Sequence, residues 1–217
     1  MVKQERAART RESLVRAAAE VFAEEGFVTA SIAGISRRAG VSAGGLHFHF
    51  GSKTALAEAV VEQAAEAIRA ITVSRPGGGN ALQMLVDSTH DLMTLLADDP
   101  VVRAGFGLCA GAAREGGCDL RRQWQRWAET MFGIAARQGK LADGVSPQDA
   151  AAAVVAAVVG FEVLGASEHT WFSHSALTRY WALMLPRLSA HASLGELAAD
   201  GSAVQSRGVP SPAGVAD

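Results

Sequence analysis

Apolar residues recur every three or four positions along most of this 217-residue chain, and no alternation of β-branched or aromatic residues runs long enough to specify a strand. The pattern predicts an all-α protein. From about Ala8 to Glu25, Leu14, Ala18, Val21 and Phe22 form one stripe among helix-forming Ala, Glu and Arg, and Gly26 stops the helix. Two short helices follow. Ser31 stands where it can cap one carrying Ile32 and Ile35, Gly40 ends it, and Ser42 stands before a second that carries Leu46. After Phe50 and Gly51, Ser52 precedes a longer helix with Leu56, Val60, Gln63 and Ala67 at helical spacing.

Periodicity breaks completely from Arg75 through Pro76 and Gly77 to Gly79, which places a domain boundary there. Beyond it, helices are expected near Leu82–Leu96, Val101–Arg114, Leu120–Gln138, Gln148–Ser167 and Leu177–Ala190. The breaks between them fall at Asp99 and Pro100, at Gly116 and Gly117, and from Asp143 to Pro147. From Ala192 the chain is mostly Ala, Gly, Ser and Pro, which predicts a mobile tail.

Composition narrows the class. Hydrophobic residues make up 49%, charged residues 19%, and the net charge is −2, which excludes a disordered chain and a globally basic one. Cys109 and Cys118 fit neither a disulfide framework nor a four-ligand zinc site, and a reducing, cytoplasmic setting is expected. The charged N-terminus has no apolar core of the secretory kind. The run from Ala150 to Phe161 holds 12 residues and, at about 1.5 Å each, falls short of a ~30 Å hydrocarbon layer, so a buried or interface helix is expected rather than a membrane partner. The histidines are scattered: His47 and His49 are two apart, off a common helical face, so no metal site is expected. Nucleophile elbows, phosphate loops and the H-E-x-x-H pattern are absent, which leaves an enzyme without a nameable acid, base or nucleophile, and no cofactor is expected.

Chemistry concentrates between Thr29 and Lys53. Ile32 and Ile35, Val41 in the turn, and Leu46 have helix-turn-helix spacing, although an ordinary helical corner has it too. Up to Arg16 the basic residues Lys3, Arg6, Arg9, Arg11 and Arg16 outnumber Glu5 and Glu12, while Arg37, Arg38 and Lys53 bracket the second short helix. A phosphate backbone attracts such a local excess even when the whole chain is slightly acidic. Ala43, Gly44 and Gly45 leave that helix's first turn almost bare, at about 1 kcal/mol per glycine relative to alanine. Either its backbone approaches a nucleic acid closely, or a poorly formed helix is tolerated because Leu46 and Phe50 pack beneath it.

The series T-x-S-I-x-x-I-x-x-x-A-G-V-S-x-G-x-L-H-x-H-F-x-S-K-x-x-L, with the preceding R-x-x-L-V-x-A-A-x-x-V-F-x-x-x-G-F, resembles the DNA-binding domain of TetR family transcriptional regulators over about sixty residues. Where the family usually has Tyr this chain has His47, and where a basic residue is frequent it has Ala43. The resemblance implies a cytoplasmic all-α homodimer on a palindromic operator in double-stranded DNA. Its parts would be a helix-turn-helix domain at 1–53, a connector helix at 54–75, a ligand-binding and dimerisation domain at 76–191, and the tail at 192–217. Helix three, Ser42 to Phe48, would enter the major groove. The implied DNA-contacting set is Thr29, Ser31, Arg37, Arg38, Ser42, Ala43, Gly44, Gly45, His47, Phe48 and Lys53.

The opening K-Q-E-R-A-A-R-T-R, the G-L-x-F-H-F-x-S-K form of helix three and the W-x-x-W pair Trp124 and Trp127 are similar to the γ-butyrolactone receptor and pseudo-receptor branch. Those proteins are repressors that govern antibiotic production in filamentous actinobacteria. In that branch the tryptophan matching Trp127 lines the cavity for a small-molecule effector, with Trp124, Phe106, Leu108 and Met131 as further candidates. On residue pattern alone such residues are more often plain core, and only the resemblance points Trp127 toward a ligand. Ala152, Ala156, Val159, Gly160 and Val163 form a stripe of small residues that, with Trp181 and Leu185, reads as a dimer seam or an intrachain core. A repressor released by its effector is the expected function. A dimeric DNA binder without a ligand is the alternative.

Overall fold

The structure, a computed structural model, describes residues 2–73, 79–110 and 119–202. It is all-α: α1 Val2–Thr29, α2 Ile32–Arg38, α3 Ala43–His49, α4 Lys53–Val73, α5 Ala81–Asp98, α6 Pro100–Ala110, α7 Leu120–Arg137, α8 Pro147–Ser167, a 3₁₀ turn at His169–Phe172, α9 His174–Leu188 and α10 His191–Leu194. The only β-type pairing among the described residues is one isolated bridge, Leu141 to Ser189. Gly26 kinks α1 at φ 76°, and Gly40 takes φ 68° in the turn after α2, a region that L side chains enter at a cost. The serine caps form as expected: Ser31 Oγ accepts from Gly34 N, Ser42 Oγ from Gly45 N, and Ser52 Oγ from Ala55 N.

Two cores meet across α6. The first joins Leu14, Ala18 and Phe22 of α1 to Ile35, Leu46, Phe50, Leu56 and Val60, and takes in Val101 and Ala104 of α6. The second gathers the far half of α4 with α5, α7, α8 and α9 around Trp124, Phe132 and Trp181. At Gly105 α6 lies so close to α4 that an added Cβ would sit 2.6 Å from the Ala64 Cβ. The backbone of α6 at Gly105 therefore lies directly against the Ala64 methyl of α4, with Leu120 beside it.

Three expectations are corrected. Helix α8 has 21 residues, about 32 Å at ~1.5 Å each, and is long and apolar enough to cross a membrane, so the argument from a 12-residue run does not hold. Here Val154, Val158 and Phe161 are buried in the second core, and Glu162 accepts two 2.7 Å hydrogen bonds from Arg121 on α7. The part of the expected tail from Ala192 to Ser202 is docked. Ser193 is buried, Leu194 and Leu197 pack on the core, Lys140 pairs with Glu196, and Gln83 exchanges two hydrogen bonds with Ala198. Small and polar residues suffice because α5 supplies the hydrogen-bond partners. Trp181 and Leu185, expected at a dimer seam, are 0% and 3% exposed within one chain, and the Trp181 indole donates to Thr89 Oγ1. Cys118, the expected boundary at 75–76, the Gly116–Gly117 break and residues 203–217 lie outside the described residues.

Candidate DNA-binding surface and ligand cavity

Helix α3 is anchored by one residue and open elsewhere. Leu46 is fully buried and Phe50 nearly so, while Ser42, Ala43, Gly44 and His47 are exposed and Phe48 is 84% exposed. The Phe48 ring stands edge-on to His49, with centroids 5.4 Å apart. A Cβ built at Gly44 meets nothing within 4 Å, so neither packing nor backbone geometry demands glycine there. Beside it, Thr29, Ser31 and Arg37 are exposed. Ser31 and Ser42 both spend Oγ on capping, so their first task is to hold α2 and α3 in register.

Two of the expected phosphate contacts have other work in the structure. Arg38 makes a forked pair with Glu24, 2.8 and 2.6 Å, and reaches Glu20 at 3.4 Å, tying α2 to α1. The pair holds the Glu24 carboxyl below its ordinary range and the guanidinium above its own, chiefly through the shared hydrogen bonds. Lys53 Nζ donates to the carbonyls of Phe27, Val28 and Ala30 at 2.7, 3.1 and 2.8 Å, using the three donors of an ammonium, and lies 4.8 Å from the centre of the Phe27 ring. These cations fasten the ends of α2 and α4 to α1. Sequence shows their charge but not the carbonyls and carboxylates that the fold brings to them. Arg11, from the basic N-terminal run, lies 4.9 Å above the Phe50 ring.

In the second core, Trp124 is 1% exposed and Trp127 is half-buried, with ring centroids 4.8 Å apart. Phe106 and Met131 are buried in the same cluster. Leu108 is partly buried, packs against both cores and also lines a cleft between them. Two buried polar atoms in this core find no hydrogen-bond partner among the described residues, the Trp124 Nε1 and the Tyr180 hydroxyl. Burial pushes the Tyr180 phenol up to about 12, so it stays neutral, and its ring stands edge-on to Phe161 and Trp181. Sequence pattern did not single out Tyr180, since an aromatic at helical spacing reads as core whether or not its hydroxyl is paired.

Residues 14–60, the first core with its helix-turn-helix, match the family described as bacterial regulatory proteins, tetR family. TylP, a TetR regulator from Streptomyces fradiae, superposes with a TM-score of 0.65 at 30% identity, over 93% of this chain and 88% of that one. The chain belongs to the TetR family. Its relatives include the A-factor receptor protein of Streptomyces griseus, 32% identical over 168 residues, which are 77% of this chain and 59% of that longer protein. CprB of Streptomyces coelicolor, solved in complex with its biological operator sequence, has a TM-score of 0.74 at 27% identity, with coverage of 88% and 94%. This TetR family member thus resembles proteins of the butyrolactone-receptor type.

Proposed function

We propose that the chain is a homodimeric repressor that places α3 in successive major grooves of a palindromic operator and leaves the DNA when a small molecule enters the core beside Trp127. The observation that carries the DNA half is the bare, outward tip of α3, where Gly44 has no structural reason to lack a side chain and Phe48 has no partner in the core. Within the contact set, Thr29, Arg37, Ala43 to Gly45, His47 and Phe48 face the duplex. Ser31, Ser42, Arg38 and Lys53 act as positioning residues. The outer faces of α8 and α9 form the dimer seam: Ala152, Ala156 and Val163 are exposed, Val159 and Gly160 half-exposed, and Leu183 on α9 is 73% exposed. Apolar exposure of this kind is what a two-fold partner covers.

The effector half rests on the unpaired Trp124 Nε1 and Tyr180 hydroxyl. An unmet buried donor costs about 1–3 kcal/mol, which a ligand bearing a carbonyl or ring oxygen restores. A neutral, mainly apolar molecule such as a γ-butyrolactone or an antibiotic intermediate suits the aromatic and aliphatic side chains gathered there. Titration of the protein–operator complex with a synthetic γ-butyrolactone tests it. Release from the wild type and retention by Trp127→Ala are expected, and no release across a panel of lactones and polyketide-like intermediates would instead favour a constitutive dimeric binder.

A further inference from the structure

Apart from the core beside Trp127, a cleft of about 670 Å³ opens between the DNA-binding domain and the C-terminal domain. Its volume is in the range of small-molecule sites. One wall is the end of α1, with Phe22, Phe27 and Val28; the other is Arg103 and Leu108 of α6, closed by His169 after α8. Val28 is 89% exposed at this wall, an apolar side chain without a core. The two ring-bearing residues of the α1 wall, Phe22 and Phe27, lie 5.6 Å apart between centroids. None of the described residues lining the cleft carries a carboxylate, and its two ionisable members, Arg103 and His169, are both basic. Arg103 is held in place, since its Nη1 donates to Leu96 and Ala97 at the end of α5.

We infer that this interdomain cleft is a second effector site, for an anionic amphiphile: a carboxylate with an apolar chain or ring. Apolar walls take the chain, and the basic side takes the carboxylate. The site bears on DNA binding because its α1 wall is fastened to the reading head. Lys53, which grips the carbonyls of Phe27 and Val28, opens α4 only four residues after α3 ends, and Arg38 ties α2 to Glu24 of the same α1 segment. A molecule wedged between Phe27 and Leu108 therefore displaces α2 and α3 as a unit against the C-terminal domain, and so changes the separation of the paired recognition helices.

Decanoate, with decanol as its neutral counterpart, tests this by calorimetry on the full chain and by anisotropy on a duplex selected by the protein. One decanoate per chain is expected, with decanol about tenfold weaker, and operator affinity lowered about fivefold or more at saturation. Gly107→Leu puts a side chain into open space in the cleft and should abolish decanoate binding. Val28→Glu, at an exposed position that cannot disturb the core, should repel the anion and give the same loss. Trp127→Ala should leave decanoate binding intact while removing the response to lactone. Absence of decanoate binding, equal binding of decanol, or loss in Trp127→Ala with retention in Gly107→Leu and Val28→Glu would overturn the second site. The last outcome would place the molecule in the core beside Trp127 and leave the lactone reading standing.

Discussion

Gly44 separates what the fold needs from what the proposed DNA contact needs. Helix α3 gains nothing from glycine there, because its Cβ would project into open space. Gly44→Ala is therefore expected to stabilise the isolated protein by about 0.5–1 kcal/mol, read by thermal melting, while weakening operator binding because the methyl keeps the backbone off the groove. The neighbouring arginines divide in the same way. Arg37 is exposed and makes no ion pair among the described residues, whereas Arg38 is forked onto Glu24. In a salt titration of operator affinity, Arg37→Ala should reduce the slope of log K against log salt by about one, as loss of a phosphate contact does. Arg38→Ala should lower affinity by loosening α2 and leave that slope unchanged. Both arginines looked alike in sequence, since a charge announces itself but the carboxylate 14 residues away on another helix face does not. Lys53 was hidden for the same reason, its partners being backbone carbonyls. The capping serines and Gly26 were legible because their chemistry is local: a side chain three residues from the amide it serves, and a residue that alone tolerates φ 76°.

Among the elements, α6 and the docked C-terminal segment behave least as periodicity implies. Helix α6 reads as one more apolar helix, yet Gly105 sets its distance from α4. Gly105→Ala forces the Ala64 contact apart from 2.6 Å, with an expected loss of about 1–3 kcal/mol in chemical denaturation and a weakened response of operator affinity to effector. The segment through Ser202 was legible only as low complexity, because its hold on the fold is polar and depends on distant partners. His90 and His174 stack with centroids 4.3 Å apart, and their Nε2 atoms hold the carbonyls of Ala199 and Asp200 at 3.0 and 2.9 Å. Ser202 N donates to Asp87 at 2.7 Å. Burial, and then the proximity of His174, press the His90 pKa below its ordinary value, against opposing pulls from the Ala199 carbonyl, Asp200 and Asp91. The unfolded chain thus takes up this proton first as pH falls. The stabilisation is complete above about pH 6.5 and declines below it. The protection factors of the Ala198 and Ser202 amides, corrected for the intrinsic slowing of exchange at lower pH, should fall between pH 7.5 and 5.5. His90→Gln, which keeps a donor for Ala199 but does not titrate, should flatten that change.

At the scale of the whole molecule, the proposed function depends on a pair. The all-helical architecture was legible in sequence from apolar spacing, whereas the helix-turn-helix domain, whose spacing an ordinary helical corner shares, was legible through the family's pattern carried by residues 14–60. The faces proposed to meet a second chain were not: Trp181 and Leu185 satisfied the same spacing as an interface and are buried inside one chain, whereas Leu183, two positions away, is exposed. Leu183→Glu is expected to shift sedimentation toward the monomer and to abolish cooperative occupancy of two half-sites while α3 itself stays folded by circular dichroism. The most direct test of the central claim is selection of duplexes from a random pool by the full-length chain, followed by sequencing. Enrichment of an inverted repeat whose half-sites lie about one helical turn, 10–10.5 base pairs, or a multiple of it apart, and its loss with Gly44→Ala, is the predicted result. Recovery of no shared sequence, or of a single unpaired half-site, would contradict it.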